Sequence, residues 1–522
     1  MRVDGDMMKW LRHIACVLAL MWVPLANGQP FFFPDTTSYV RAGDMAVYIA
    51  SRGRFSTVWS KEYKSAIDRR LGRPVLGGEQ LSQVRGMPKG NDISSGNIMS
   101  GRSPYFGILL YLSYVLSDFW IFVLLQAIVS YALILLSLRR FDLDQPRAVV
   151  GVVALCAATV SLPFYNGLLL ADALAGFGIL AFLLLATYRG EPRWCEIGFL
   201  LMVLAMSVIS HLTHLVMLLA MFGAMIVAGL VRQNWRPSRL AVLSGIGAGA
   251  VGFASLAITS AIVQQVFHKP PQLVPLMTAR FIADGPGADF VRSGCGGYDF
   301  LACKKLPPVI SSSAYLWATD SRHGMYMLLP SEQRFRMAAE DGRFALAVFR
   351  AYPIRQSAMI FYNTAKQLGT FALAGLNTGC FNLPGCWSSL PDGIRGQLTR
   401  TLSGRNAWPV HFLSIWLYGV VISSILVIAL ILVPLRRKLP VAGATLMVWL
   451  VLAFIAILTC SIFGGAISEP QYRYQGRLIW LVPFLASITF LLWRRAINSP
   501  LEPEAPKADV DLITGTKDRF FP

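Results

Sequence analysis

Nearly uncharged apolar runs of roughly 20 residues recur along most of the chain, and nothing else in it restricts the fold as strongly. Runs of that length match the hydrocarbon thickness of a bilayer. Backbone N–H and C=O groups there must be bonded within the protein, and a helix does so within one segment. The runs lie near 11–26, 119–138, 148–163, 169–187, 195–210, 212–231, 240–262, 408–435, 440–462 and 477–493. The expected fold class is an all-α polytopic membrane protein with about ten transmembrane helices and two long periplasmic segments.

Composition enters as a check on that class. At 55% hydrophobic and 14% charged, the 522 residues are too apolar for a soluble domain of this length. The formal net charge of +19 does not indicate nucleic acid, because the basic residues sit in short clusters between apolar runs. Those clusters are Arg139-Arg140, Arg189 with Arg193, Arg232 with Arg236 and Arg239, Arg436-Arg437-Lys438, and Arg494-Arg495. They mark every second junction, which the positive-inside rule places in the cytoplasm together with both termini.

The organisation that follows has an N-terminal transmembrane module over 1–262, with a first outer segment at 27–103. A periplasmic cap spans 263–407, C-terminal transmembrane helices cover 408–495, and a cytoplasmic tail over 496–522, rich in Pro, Asp, Glu and Lys, is expected to be disordered. Residues 104–116 are apolar but short, and are read as a re-entrant or interfacial helix. An eleventh span there would invert everything downstream. The first run, flanked by Lys9 and Arg12, has a cleaved signal peptide as its alternative. No small-x-small site is present around Ala26-Asn27-Gly28, and Asp35 stays outside either way.

The hexapeptide Pro34-Asp35-Thr36-Thr37-Ser38-Tyr39 puts a carboxylate where the chain leaves the first span, a functional candidate by default. The competing reading is a helix start, with Asp35 as a cap. Cysteine usage bears on the compartment. Cys295 with Cys303 and Cys380 with Cys386 form two close pairs in the second outer segment, expected as disulfides of an oxidising periplasm. Zinc is the rival, but no further histidine or cysteine has finger-like spacing around them. Cys16, Cys156, Cys195 and Cys460 fall in or beside spans, as small hydrophobes.

Several separate segments resemble one pattern along most of the chain: Pro34-Asp35-x-x-Ser38-Tyr39, then Gly101-Arg102-Ser103-Pro104-Tyr105, then Leu162-Pro163-Phe164-Tyr165 with Asp172, then Arg473-Tyr474 before the last span. Their order and topological side resemble the bacterial glycosyltransferase-C superfamily of membrane proteins. The resemblance implies an enzyme of the bacterial inner membrane that transfers a sugar from a polyprenyl-phosphate donor to a periplasmic glycan, lipid or protein acceptor. An acidic residue of the first outer loop would serve as the base.

The residue types suit that chemistry on their own terms. A hydroxyl attacking an anomeric carbon must lose its proton, and Asp35 is the expected inverting general base. The lipid-phosphate leaving group needs preplaced cations, for which Arg473 and Arg477 are the first candidates and Arg102 the next, with Tyr39 and Tyr474 beside them in the substrate site. The alternative for the two C-terminal arginines is interfacial anchoring. Asp172 is expected to face the same cavity and, with Asp35, to hold a divalent cation such as Mg2+ or Mn2+ or to orient the acceptor, against a capping or inter-helix bond. His211 and His214 share a helical face and are candidates for phosphate or metal contact, against polar packing. Within the cap, Glu340-Asp341 are candidate acceptor ligands, against solvated surface charges. Asp284-Gly285-Pro286-Gly287 reads as turn chemistry. Other classes stay open: a flippase or transporter of lipid-linked glycans, or a polymerase or ligase of surface polysaccharide.

Overall fold

The computed structural model describes residues 2–59, 64–70, 72–73, 98–191, 193–231, 237–382 and 384–498. Arg232, Arg236 and residues 499–522 of the tail lie outside these residues, while 496–498 end the last helix. The described chain is helical, with isolated bridges only at Phe31 with Leu168 and Met99 with Gln272.

The first apolar run is two helices, α1 (Arg2–Ala19) and α2 (Trp22–Asn27). Pro24 explains the break, since it has no N–H for the carbonyl of Leu20 and its ring would clash there. That carbonyl accepts instead from Asn166 Nδ2 at 2.9 Å. Two helices follow the run, α3 (Pro34–Ala50) and α4 (Lys64–Arg70), and then α5 (Pro104–Ser117). Helix α5 starts at a Ser103 cap, ends at Asp118 in the left-handed region (φ 47) and, at 14 residues, is too short to cross a bilayer. It packs backbone to backbone against α3, because a Cβ on Gly43 would lie 2.2 Å from the Gly107 carbonyl oxygen.

Helices α6 (Trp120–Arg140), α7 (Pro146–Ala158) and α8 (Ser161–Gly167) come next. The expected span at 148–163 is bent by 74° between α7 and α8, where Val160 is held at φ 63 and Pro163 again withholds a helical N–H. Helix α9 (Asp172–Ala186) has 15 residues, all buried. A helix apolar all round belongs inside the protein, and α9 is the axis about which the bundle is built. Around it stand α10 (Trp194–Ser210), α11 (Leu212–Val231) and α12 (Arg239–Phe267).

The stretch 263–407 folds in part about a core of its own, including Phe281, Phe290, Tyr315, Tyr326 and Phe344. It contains α13 (Leu276–Ala283), α14 (Pro286–Arg292), α15 (Ser312–Trp317), α16 (Ser331–Ala351) and α17 (Pro353–Leu368), followed by α18 (Pro384–Trp387) and α19 (Asp392–Leu398). Disulfides join Cys295 to Cys303 and Cys380 to Cys386, with Cα separations of 6.2 and 5.0 Å. The chain ends in α20 (Val410–Lys438), α21 (Pro440–Ile462), a π-helical stretch Phe463–Ile467, α22 (Tyr472–Ile479) and α23 (Leu481–Asn498).

Among the described residues, six helices are long and apolar enough to cross a membrane: α6, α11, α12, α20, α21 and the α22–α23 pair. The bent α7–α8 pair makes up to seven, while α9 and α10 are shorter apolar helices. The bundle has two chemically distinct ends. At one, Arg140 Nε donates to the Thr187 carbonyl at 2.7 Å, Lys438 lies over Trp493, and Arg495 Nη1 is 3.8 Å from Asp142. The opposite end carries Asp35 and Asp172.

Candidate functional site

A short backbone pairing brings the two acidic segments together. Phe31 N donates to the Gly167 carbonyl at 2.9 Å, and Leu169 N returns a bond to Phe31 O at 3.0 Å. Thr36 Oγ1 locks the next turn, accepting from Phe33 N and donating to Leu169 O, each at 3.0 Å. Asp35 in the first turn of α3 thus stands beside Asp172, which opens α9. Neither carboxylate caps its helix, so the capping readings are corrected: Phe33 and Ala171 occupy the cap positions without a side-chain bond.

Helix α8 positions the arginines. Ser161 Oγ donates to Gly476 O at 2.7 Å and Tyr165 Oη to Arg473 O at 3.2 Å. Gly476 is required there, since a Cβ would lie 2.3 Å from the Tyr165 hydroxyl. Arg473 and Arg477, one turn apart on α22, then point along one face.

The outcome is an alternating row, Arg102, Asp35, Arg473, Asp172, Arg477. Arg102 Nη2 pairs with Asp35 Oδ1, and Arg473 Nη1 and Nη2 lie 3.3 and 3.4 Å from Asp35 Oδ2. Arg473 Nε is 3.9 Å from Asp172 Oδ1, and Arg477 Nη1 3.3 Å from the same oxygen. Side-chain exposure falls along the row from 30% at Arg102 and 25% at Asp35 to 13, 8 and 2% at Arg473, Asp172 and Arg477. The row is open at one end and closed at the other. Arg477 is too buried to be an interfacial anchor, and that reading is corrected for it.

Three guanidiniums face two carboxylates, leaving one positive charge in excess, and Nε of both Arg473 and Arg477 is buried without a hydrogen-bond partner. Burial pushes the Asp35 carboxyl up, but the guanidiniums of Arg102 and Arg473 outweigh it and hold the group below the usual carboxylate range. Burial raises the Tyr39 hydroxyl to about 12, so it stays neutral, with Arg102 stacked 5.8 Å from its ring centre. Tyr474 lies beside both α22 arginines, at 5.6 Å from Arg473 and 5.9 Å from Arg477.

The histidines divide. His211 Nδ1 bonds Thr213 Oγ1 at 2.8 Å, and that oxygen accepts from Arg477 Nη2 at 3.0 Å, so His211 joins the closed end of the row through Thr213. His214 is packed between helices, with Nδ1 3.0 Å from the Ser207 carbonyl. No group of three or more His, Cys, Asp or Glu among the described residues is placed to hold a metal ion. The donor set around Asp35 and Asp172 is cationic and does not fit a divalent cation in this arrangement.

Glu340 and Asp341 are committed within the cap, against the acceptor-ligand reading. Glu340 accepts from Leu301 N and Arg336 Nε, each at 2.7 Å, and Asp341 from Thr278 N and Oγ1, each at 2.7 Å. Sequence reasoning missed Phe33, whose ring lies 5.1 Å from the Arg473 guanidinium, and Thr213. Both adjoin singled-out motifs, Phe33 before Pro34 and Thr213 between the histidines, but neither carries a charge that would have marked it. Comparison with protein-family models, curated proteins and solved structures gives no match. The site's chemistry therefore rests on the residues themselves.

Proposed function

We propose that this protein is an integral membrane glycosyltransferase, similar to the glycosyltransferase-C superfamily, that moves a sugar from a polyprenyl-phosphate donor to a periplasmic acceptor. The single observation that carries the reading is the row of three arginines and two aspartates, open at Asp35 and closed at Arg477, with its excess positive charge. Arriving donor phosphate exchanges with the carboxylates for Arg102 and Arg473. An acceptor hydroxyl beside the freed Asp35 attacks C1 of the sugar from the face opposite the phosphate. The C1–O bond to phosphorus breaks, the hydroxyl proton goes to Asp35, and the departing lipid phosphate takes the bond's electron pair with its charge held by guanidinium.

In this reading the acidic end is periplasmic and both termini are cytoplasmic in a bacterial inner membrane. The gathering of Arg140, Lys438 and Arg495 at the opposite end and the cap disulfides support it.

The test is mass spectrometry of surface glycans and polyprenyl-phosphate sugars in cells carrying wild-type protein, a deletion or Asp35→Asn at equal membrane levels. The expected result is loss of one sugar and build-up of its lipid donor in both altered strains. Unchanged glycans with Asp35→Asn, but not in the deletion, would move the assignment to a ligase or a transporter.

A further inference from the structure

Helix α17 is amphipathic in the wrong sense for a helix at a water-facing surface. Gln356, Asn363 and Gln367, which fall on one side at helical spacing, are buried. Gln356 Nε2 and Asn363 Nδ2 donate to the two Asp284 oxygens at 3.0 and 2.8 Å. Gln367 exchanges two bonds with the backbone of Gln471, at 2.9 and 2.7 Å, just ahead of Arg473. The opposite side is apolar and uncovered: Ile354 is 84% and Phe361 77% exposed, with exposed Ala358 and Ala365 between and beyond them. In water that stripe would sacrifice hydrophobic burial, and no other part of the described chain covers it.

The margin of the stripe identifies the occupant. Arg355, Tyr362 and Lys366 lie together along one edge, all exposed although Arg355 also pairs with Asp289 Oδ2 at 2.9 Å, the arrangement of a basic and aromatic rim at a headgroup layer. The helix also sits against a membrane-length element. A Cβ on Gly465, in the π-helical stretch that follows α21, would lie 2.4 Å from the Asn363 carbonyl, and the last turn of α21 exposes Ile462. Helix α17 thus packs against the end of a helix that is long and apolar enough to cross a membrane.

We propose that α17 is a membrane-surface helix: its Ile354–Ala358–Phe361–Ala365 stripe lies in the acyl region of the leaflet at the site end, with Arg355, Tyr362 and Lys366 at the phosphate level. Its polar side holds the cap through Asp284 and the Arg473 loop through Gln471.

Spin labelling tests it in the full-length protein in phosphatidylethanolamine and phosphatidylglycerol vesicles. The background is Cys195→Ser, because the other free cysteines are buried. Labels at Ile354→Cys and Phe361→Cys, with Ala358→Cys and Ala365→Cys as a milder second pair, are compared with Arg322→Cys on the exposed cap. Collision with molecular oxygen relative to a water-soluble nickel chelate should be several-fold higher on the stripe than at position 322. Chelate access on the stripe equal to that at 322 would overturn the proposal. Protection from both reagents would overturn it equally, because it would mean that protein, a second copy or a partner, covers the stripe.

Discussion

Two arginine–aspartate constellations in this molecule are built from the same parts to opposite ends. In the cap, Arg280 and Asp284 are both buried, matched one to one, and the carboxylate is further bonded by Gln356 and Asn363. In the row at the end of the bundle, three arginines share two aspartates, contacts run from 3.3 to 3.9 Å beyond the Arg102 pair, and buried donors are left over. A closed, neutral cluster has nothing to offer a ligand. An open, charge-unbalanced row holds its geometry by backbone bonds from α8 and Thr36, so its charges remain available. Like residues thus differ in whether their hydrogen bonds are exhausted.

The largest expected effect, and the sharpest test of that contrast, is on turnover. Asp35→Asn should lower sugar transfer by roughly 10²–10⁴-fold, the usual contribution of a general base, in membranes assayed with a defined lipid donor. The same variant should cost only about 1 kcal/mol or less of stability, because Asp35 is part-exposed. Asp284→Ala should show the reverse. Leaving Arg280 buried without its partner is worth ~3–5 kcal/mol, seen as a lower thermal midpoint of the purified protein. Equal destabilisation by both variants would erase the distinction.

A smaller effect is expected at Arg473→Lys, which keeps the charge but loses the planar fork. About a tenfold loss of kcat/KM for the lipid donor, or ~1.4 kcal/mol, is expected, with the thermal midpoint nearly unchanged. A variant with wild-type donor dependence would show that Arg473 acts only on Asp35.

The smallest effect is in acid stability. Asp35 is held below the usual carboxylate range, so its ionised form stabilises the folded state above the unfolded-state value, and this contribution fades as pH falls through the lower folded-state value. The gap in thermal midpoint between wild type and Asp35→Asn should therefore be widest near neutrality and close on acidification below about pH 4. A gap that widens on acidification would contradict the pairing with Arg102 and Arg473.

Much of this was legible in the residues, though unevenly. The long helices α6, α11, α12, α20 and α21 follow from runs that have one physical solution in a bilayer. The first run is broken and 148–163 is bent by 74°, because prolines at 24 and 163 withhold one N–H each while barely lowering apolar content. The run at 169–187 looked like any other span, since hydropathy cannot distinguish a helix bathed in lipid from one enclosed by protein. Asp35, Asp172, Arg102, Arg473 and Arg477 stood out because charges beside apolar runs are costly.

By itself, then, the sequence determined which stretches are helical, which end of the bundle is basic, and which charged residues have no ordinary reason to lie where they do. These are local properties, set by runs, prolines and charge over a few turns. Tertiary structure alone decided that Arg473 meets Asp35 across 438 positions of sequence, that Arg477 is sealed in, and that α17 turns its polar side inward. Such pairings are chosen by the packing of whole helices, including the close approaches at Gly43, Gly107 and Gly476, and no local pattern encodes which distant partner will arrive.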